Sequence, residues 1–317
     1  MTLPAIQRAL YERVVIVTRK TQLEELTARF NTVAQARFYL EHAQQDFAPI
    51  EAEHKLYHEV LDGVRQLIPR GLKQHVIERD VLPQYTFGRD DLVITVGQDG
   101  LVVNTAKYLR DQPLLAVNPD PRHIDGILLP FTAKQLSRVI PDALEGDRQQ
   151  QPVTLAQATM NTGQTLLAFN DFFIGPKTHV SARYVLQQGE AVEQQSSSGI
   201  IVSTGAGSTG WLQSIYAGAT GVVEALGGKV IPPANGGRLP WDSDTLVYSV
   251  REPFPSRVSQ TNMVYGEVTP DKPLVVTSQM ADNGIIFSDG TEKDFIAFNA
   301  GSTVTIGIAP HKIQLVI

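Results

Sequence analysis

The stretch Asp91–Lys107, DLVITVGQDGLVVNTAK, sets the reading of the chain. Leu92 to Val96 is an uncharged run rich in β-branched residues, the pattern of a strand buried on both faces of a parallel sheet. Gly97 and Gly100 bracket the turn that follows. Glycines at a strand exit allow unusual dihedrals or a close approach to the main chain, so the turn is expected to hold a ligand against its backbone. The helix beyond it points free N–H groups and the positive end of its dipole at the turn, an arrangement suited to phosphate. Asp99 places an anion among those donors, and it reads either as a helix cap or as a group with chemistry to perform.

Upstream, Val14 to Val17 is a second apolar β-type run. Thr21, with Glu24 three residues later, is a capping-box pattern ahead of Leu23, Leu26, Phe30 and Val33 at helical spacing. A further helix is expected from about Glu51, with Leu56, Val60, Leu61, Val64 and Leu67 on one side, stopping before Pro69. His54 and His58 stand four apart on it. With no zincin-type glutamate beside them and no evident third ligand, they read as surface residues rather than a metal site. Lys73 to Glu78 and Leu114 to Val117 read as strands, and Thr132 to Leu144 as a helix. Short apolar runs alternating with helices are the signature of an α/β domain with a parallel sheet. Ligands in such sheets sit at the carboxyl ends of the strands, where the GQDG turn and the loop Asn118-Pro119-Asp120-Pro121 both fall, so the two exits are expected to share one cleft. Asn118 and Asp120 are candidates for binding there, and equally good turn formers beside prolines. The N-terminus, MTLPAIQRALYERVVIVTRK, reads as a short helix leading into a strand, without a signal-type apolar region.

After the polar run GDRQQQP the pattern changes. Val153 to Met160, a turn at Asn161–Gln164 and Thr165 to Ile174 read as a hairpin, Val180 to Leu186 as the next strand, and short strands dominate from there to Ile317. The expected organisation is an α/β N-terminal domain with a parallel sheet over 1–148 and a mainly β C-terminal domain over 149–317, its final strands packing back on the first. Gly227 to Pro240, dense in Gly and Pro, reads as a surface loop. The composition, 42% hydrophobic and 19% charged, is that of a soluble globular protein. No apolar run approaches the roughly 20 residues a membrane span needs. The cysteine count of 0 excludes disulfides, thiolate metal sites and a cysteine nucleophile, and fits a reducing cytoplasm. A net charge of −6 with no basic block argues against nucleic acid as a partner.

Inside the β-rich half lies Gly199-Ile-Ile-Val-Ser-Thr-Gly205-Ala-Gly207-Ser208-Thr209-Gly210-Trp211, which literally contains the dinucleotide fingerprint G-x-G-x-x-G, with Glu224 downstream. The stretch before Glu224 leaves little room for a crossover helix and a second strand, and the βαβ pattern belongs to the other half. Read with the GQDG turn, the segment resembles the NAD kinase family instead. That family carries a Gly-Gly-Asp-Gly turn, then an Asn-Glu or Asn-Asp pair, then a Gly-Ser/Thr-Thr-Ala-Tyr segment. The counterparts here are Gly97-Gln98-Asp99-Gly100, Asn170-Asp171 in AFNDFFIG, and Gly207-Ser208-Thr209-Gly210-Trp211, in the same order. VNPDP at 117–121, SSG at 197–199, VREP at 250–253 and SDG at 288–290 resemble the mitochondrial-type branch most.

The resemblance implies transfer of the terminal phosphoryl of ATP, with Mg²⁺, to the 2′-hydroxyl of the adenosine ribose of NAD, giving NADP. It implies Asp99 as the base or orienting acceptor for that hydroxyl. Gly97, Gln98, Gly100, Asn118 and Asp120 would lie toward the phosphate donor, and no residue is assigned as a protein ligand to the metal. Asn170 and Asp171 would hold the accepting ribose, and Ser208, Thr209 and Trp211, with Ser214 one turn on, would contact NAD. Asp289 is read as shaping a turn. The family is commonly homo-oligomeric. Gln98 departs from the family glycine: at positive φ it would be strained and obstructive, whereas at negative φ its amide could donate to a phosphate. The alternatives to a kinase for NAD are a non-catalytic NAD- or nucleotide-binding regulatory protein on the same fold, or a kinase for a sugar or lipid hydroxyl.

Overall fold

The computed structural model describes residues 10–231, 234–291 and 294–317. The expected N-terminal helix lies outside the described residues. The chain divides into two compact units, Met1–Gln151 with Ile313–Ile317, and Pro152–Lys312.

The first unit is built on a parallel sheet. Its strands are β1 (Arg13–Thr18), β2 (Lys73–Glu78), β3 (Asp91–Val96) and β4 (Pro113–Asn118), in the order β2-β1-β3-β4. A short β5 (Phe131–Thr132) adds to β4 in parallel, and Gln314 and Leu315 pair in parallel with Pro113 and Leu114. Every residue of β3 and β4 is buried, as a sheet covered on both faces requires. The helices are α1 (Gln22–Phe30), α2 (Val33–His42), α3 (Ala48–Leu67), α4 (Asp99–Ala106) and α5 (Leu136–Glu145). Val14, Ile16, Leu92, Ile94, Val96, Leu115 and Val117 alternate along the strands and meet Tyr57, Val60 and Val64 of α3 and Val139 and Ile140 of α5 in one core. The capping box at Thr21 and Glu24 is present and starts α1. At the other end of the strands Arg13 donates twice to Asp91, at 2.9 and 2.5 Å, which pins the start of β1 to that of β3.

The second unit is a pair of packed sheets. One contains β6 (Gln150–Met160), β7 (Thr165–Ala168), β9 (Ala182–Gln188), β10 (Ala191–Ser197), β14 (Leu274–Ser278) and β17 (Thr303–Val316). The other is six-stranded and contains β8 (Asp171–Pro176), β11 (Gly199–Ser203), β12 (Leu246–Arg251), β13 (Tyr265–Val268), β15 (Gly284–Ser288) and β16 (Ile296–Ala297). Phe172, Ile174, Ile200, Val202 and Ile286 on the second sheet meet Tyr184, Leu186, Val276, Val304 and Ile306 on the first. The alternate residues Phe173, Ile201 and Ile285 face outward against Trp211 and Ile215 of α6 (Trp211–Ala225).

Three sequence expectations are corrected. Thr165–Ile174 is not one strand: β7 pairs with β6 in one sheet, and β8 pairs with β11 and β15 in the other. The strand expected from Val180 begins at Ala182. The helix expected from Thr132 begins at Leu136, after the short β5 and a single 3₁₀ turn. Gly205–Gly210 is not a dinucleotide fingerprint, because β11 runs antiparallel to both neighbours and opens no βαβ unit.

Candidate active site

The GQDG turn continues β3 directly: the Gly97 N–H donates to Val117 at 3.2 Å, prolonging the pairing with β4. Gly97 is buried, and a Cβ there would come within 2.9 Å of the Leu101 side chain, so this glycine lets the turn close against its own helix. Gln98 has φ −110° and ψ 167°. That is ordinary extended backbone, open to any residue, so the strained alternative for Gln98 falls away. Gln98 is also the N-cap of α4, without a side-chain capping bond. Asp99 is therefore the first helical residue and not the cap. Its Oδ1 accepts the Leu128 N–H at 2.7 Å, which fixes a half-buried carboxylate at the helix start. Gly100 is exposed, with open space where a side chain would stand.

Asn118 and Asp120 organise the neighbouring loop. Asn118 accepts the Asp120 N–H through Oδ1 at 3.0 Å and donates through Nδ2 to Ile124 at 3.0 Å. Asp120 accepts the Arg122 N–H at 3.2 Å and lies 2.6 Å from Nδ1 of His123. Burial works to raise the pKa of Asp120, but the bonds from His123 and Arg122 and their charges outweigh it and hold the carboxyl below its usual range. Gln98, Pro119 and Asp120 line one pocket of about 370 Å³ together with Arg19, Arg122 and His123. Both strand exits thus open onto one cleft, and its arginines, Arg19 and Arg122, are what sequence reasoning missed. For Arg19 a signal existed: it stands one residue past β1, at the same end of the sheet. Tyr57 lies inside α3 with no local sequence signal to mark it. Its hydroxyl accepts the Arg19 N–H at 3.0 Å and donates to the Val96 carbonyl at 3.1 Å, tying the exits of β1 and β3 together. Burial pushes its pKa up to about 12, so the phenol keeps its proton.

In the second unit, Asn170 and Asp171 stand where the chain leaves one sheet for the other. A strand that switches sheets leaves backbone donors without ladder partners. Asp289 supplies them: its carboxylate accepts the N–H groups of Phe169 at 3.1 Å, Asn170 at 2.6 Å and Asp171 at 3.3 Å. It holds φ 55° to do so, and its own N–H donates to the Asp171 carbonyl at 3.0 Å. Asp289 does more than shape its own turn. The Asp171 carboxyl is buried, and burial, with the Asp289 charge as the second cause, pushes its pKa up to about 7.

The glycine-rich segment packs on this corner. A Cβ at Gly207 would collide with the Asn170 carbonyl, and one at Gly205 with the Pro240 carbonyl. Those glycines admit backbone, not phosphate. Thr204 donates its N–H to Asn170 at 2.8 Å and its hydroxyl to Phe169 at 2.5 Å. Ser208 is buried; its hydroxyl donates to Gly205 at 2.6 Å and accepts the Leu239 N–H at 3.1 Å. Thr209 is half-buried and Ser214 exposed on α6. Trp211, the first residue of α6, lies parallel to Phe173 with ring centroids 6.1 Å apart, and the Arg251 guanidinium stands 5.6 Å from its ring centroid. It lines a pocket of about 400 Å³ with Phe173, Phe287, Lys177 and Arg251. Aromatic faces beside cations suit a purine nucleotide.

No family model matches the chain. Among curated proteins, the "Probable NADH kinase" of Oryza sativa subsp. japonica is 26% identical over 225 residues, covering 63% of each chain. The chain's match thus spans less than two thirds of that relative. The NAD kinase of Cellvibrio japonicus is 29% identical over 221 residues, covering 67% of this chain and 70% of that one. The crystal structure of an NAD kinase from Archaeoglobus fulgidus in complex with ATP superimposes with TM-score 0.53 at 15% identity, over 95% of this chain and 92% of that one. The chain is similar to NAD kinases in sequence and in fold. Its α/β unit with a parallel sheet and its mainly antiparallel β unit have the NAD kinase fold. Among the described residues no helix is long and apolar enough to cross a membrane.

Proposed function

We propose that the protein is an ATP-dependent kinase that phosphorylates the 2′-hydroxyl of the adenosine ribose of NAD, giving NADP. The observation that carries this reading is the setting of Asp99: a carboxylate held by the Leu128 N–H at the first position of α4, after a residue in unstrained extended backbone. In phosphoryl transfer the protein mainly positions the groups and neutralises charge. Asp99 takes the proton of the attacking hydroxyl while its second oxygen stays available to orient it. The donor's phosphates lie at the GQDG turn, where the first turn of α4, the Gln98 amide and the guanidinium groups of Arg19 and Arg122 offset their charge, with the His123 ring beside them. Asn118 and Asp120 serve by shaping that loop. Mg²⁺, if it accompanies ATP, would supply charge neutralisation at the donor's phosphates.

Asn170 and Asp171 hold the hydroxyls of the accepting ribose. With its pKa raised to about 7, Asp171 near neutral pH both accepts and donates hydrogen bonds, a match for a pair of hydroxyls. Thr209 and Trp211 contact the adenine, Ser208 holds the turn that presents them, and Ser214 lies one helical turn further on. The reading carries a cytoplasmic, homo-oligomeric enzyme. Incubation with NAD and Mg·ATP, coupled to an NADP-specific dehydrogenase, tests it. NADP formation is expected, and a folded protein that forms none overturns the reading.

A further inference from the structure

The histidine pair for which spacing on its own helix offers no third ligand has a carboxylate beside it. His54 and His58 stand one turn apart on α3 with ring centroids 4.4 Å apart, and Glu24 of α1 reaches them: its Oε1 lies 3.1 Å from Nε2 of His58. One ligand atom from each of the three residues lies within 4.8 Å of the others, and all three side chains are half-buried. We propose that Glu24, His54 and His58 form a binding site for a divalent transition ion of the zinc class, clipping α1 to α3.

The chemistry of the set favours such an ion. Two imidazoles and one carboxylate are borderline ligands suited to Zn²⁺ and its first-row neighbours, whereas Mg²⁺ prefers oxygen alone. Tetrahedral zinc places its ligand atoms about 3.3 Å apart, so closing the site takes small side-chain rotations and leaves the fourth position to water. The supporting contacts are already in place. Glu24 keeps Oε2 on the Thr21 N–H at 2.7 Å and on its hydroxyl at 3.1 Å, which leaves Oε1 to turn to a metal. The fully buried Thr21 hydroxyl also lies 2.8 Å from Nδ1 of His54, which sets that ring. Outer contacts of this kind orient metal ligands and fix the histidine tautomer. The ion would displace the Glu24–His58 hydrogen bond, and it would exchange for the proton on whichever imidazole nitrogen it takes.

The test is titration of the metal-free full-length chain with ZnCl₂ by calorimetry, with Co²⁺ absorption as a second readout. Glu24→Gln keeps the capping box, since glutamine serves at that position, and removes only the carboxylate. The expected results are one equivalent bound by the wild type with four-coordinate Co²⁺ bands, a loss of about tenfold or more in affinity for Glu24→Gln and for His58→Gln, and retained binding for the control His42→Gln. Absence of one-equivalent Zn²⁺ binding by the wild type overturns the proposal, and so does binding that neither substitution weakens.

Discussion

Asn170 donates its backbone N–H to the carboxylate of Asp289 at 2.6 Å, across 119 positions of sequence. That one acceptor also holds the N–H groups of Phe169 and Asp171, so the corner carrying the expected ribose-binding pair is built by a residue outside its own motif. Asp289→Ala strands three donors, and the expected cost is about 3 kcal/mol or more in urea unfolding, because bonds to a charged acceptor are worth more than neutral ones. Asp289→Asn keeps one acceptor oxygen and tolerates the positive φ, so its cost is expected to be smaller. Both should raise KM for NAD more than KM for ATP.

Asp171 supplies a pH signature. Its pKa is about 7 in the folded chain against an ordinary 3.8, so the unfolded chain ionises first as pH rises. The folded state therefore loses stability progressively from about pH 4 to about pH 7, and the loss levels off above that. Asp171→Asn abolishes this component. Thermal melts across that range should show a shallower pH dependence for the variant than for the wild type, and equal slopes would remove the assignment.

Tyr57→Phe deletes one hydroxyl that joins β1 to β3. The Arg19 N–H loses its acceptor and the Val96 carbonyl loses its donor, for an expected cost of about 1–3 kcal/mol in chemical denaturation. Because Val96 leads directly into the GQDG turn, kcat should fall as well. Unchanged stability would show that water replaces the hydroxyl.

Gln98→Gly separates the two roles offered for the departure from the family pattern. Since φ at Gln98 is −110°, glycine relieves no strain there. The expected outcome is a stability loss of up to about 1 kcal/mol from added backbone freedom, with a higher KM for ATP as the amide is lost. Higher turnover in the variant would instead favour the reading in which Gln98 obstructs the nucleotide.

What was legible in the sequence was local. The run Leu92–Val96, the capping box at Thr21 and the helix around Val60 and Val64 each carry their signal within a few residues, and each stands where it was expected. What escaped was decided by distant chain. Thr165–Ile174 reads as one arm of a hairpin, and Asp289, far downstream, holds the backbone donors where it breaks at Asn170. Gly205 and Gly207 mimic a phosphate fingerprint locally, yet their neighbours are the carbonyls of Pro240 and Asn170. The third partner of His54 and His58 comes from another helix, and no spacing rule on α3 could reveal it. For Asp99 the sequence left a cap and a catalyst open. Gln98 holds the cap position, and the Leu128 N–H holds the carboxylate.

The central claim rests on Asp99, and one measurement tests it most directly: NADP formation from NAD and Mg·ATP by the wild type and by Asp99→Asn, with NAD affinity determined on the same samples. The account predicts robust turnover by the wild type and a fall of about a hundredfold or more in kcat for the variant. It predicts NAD affinity within about twofold, because the charge matters chiefly in the transition state. Wild-type turnover retained in full by Asp99→Asn would contradict it.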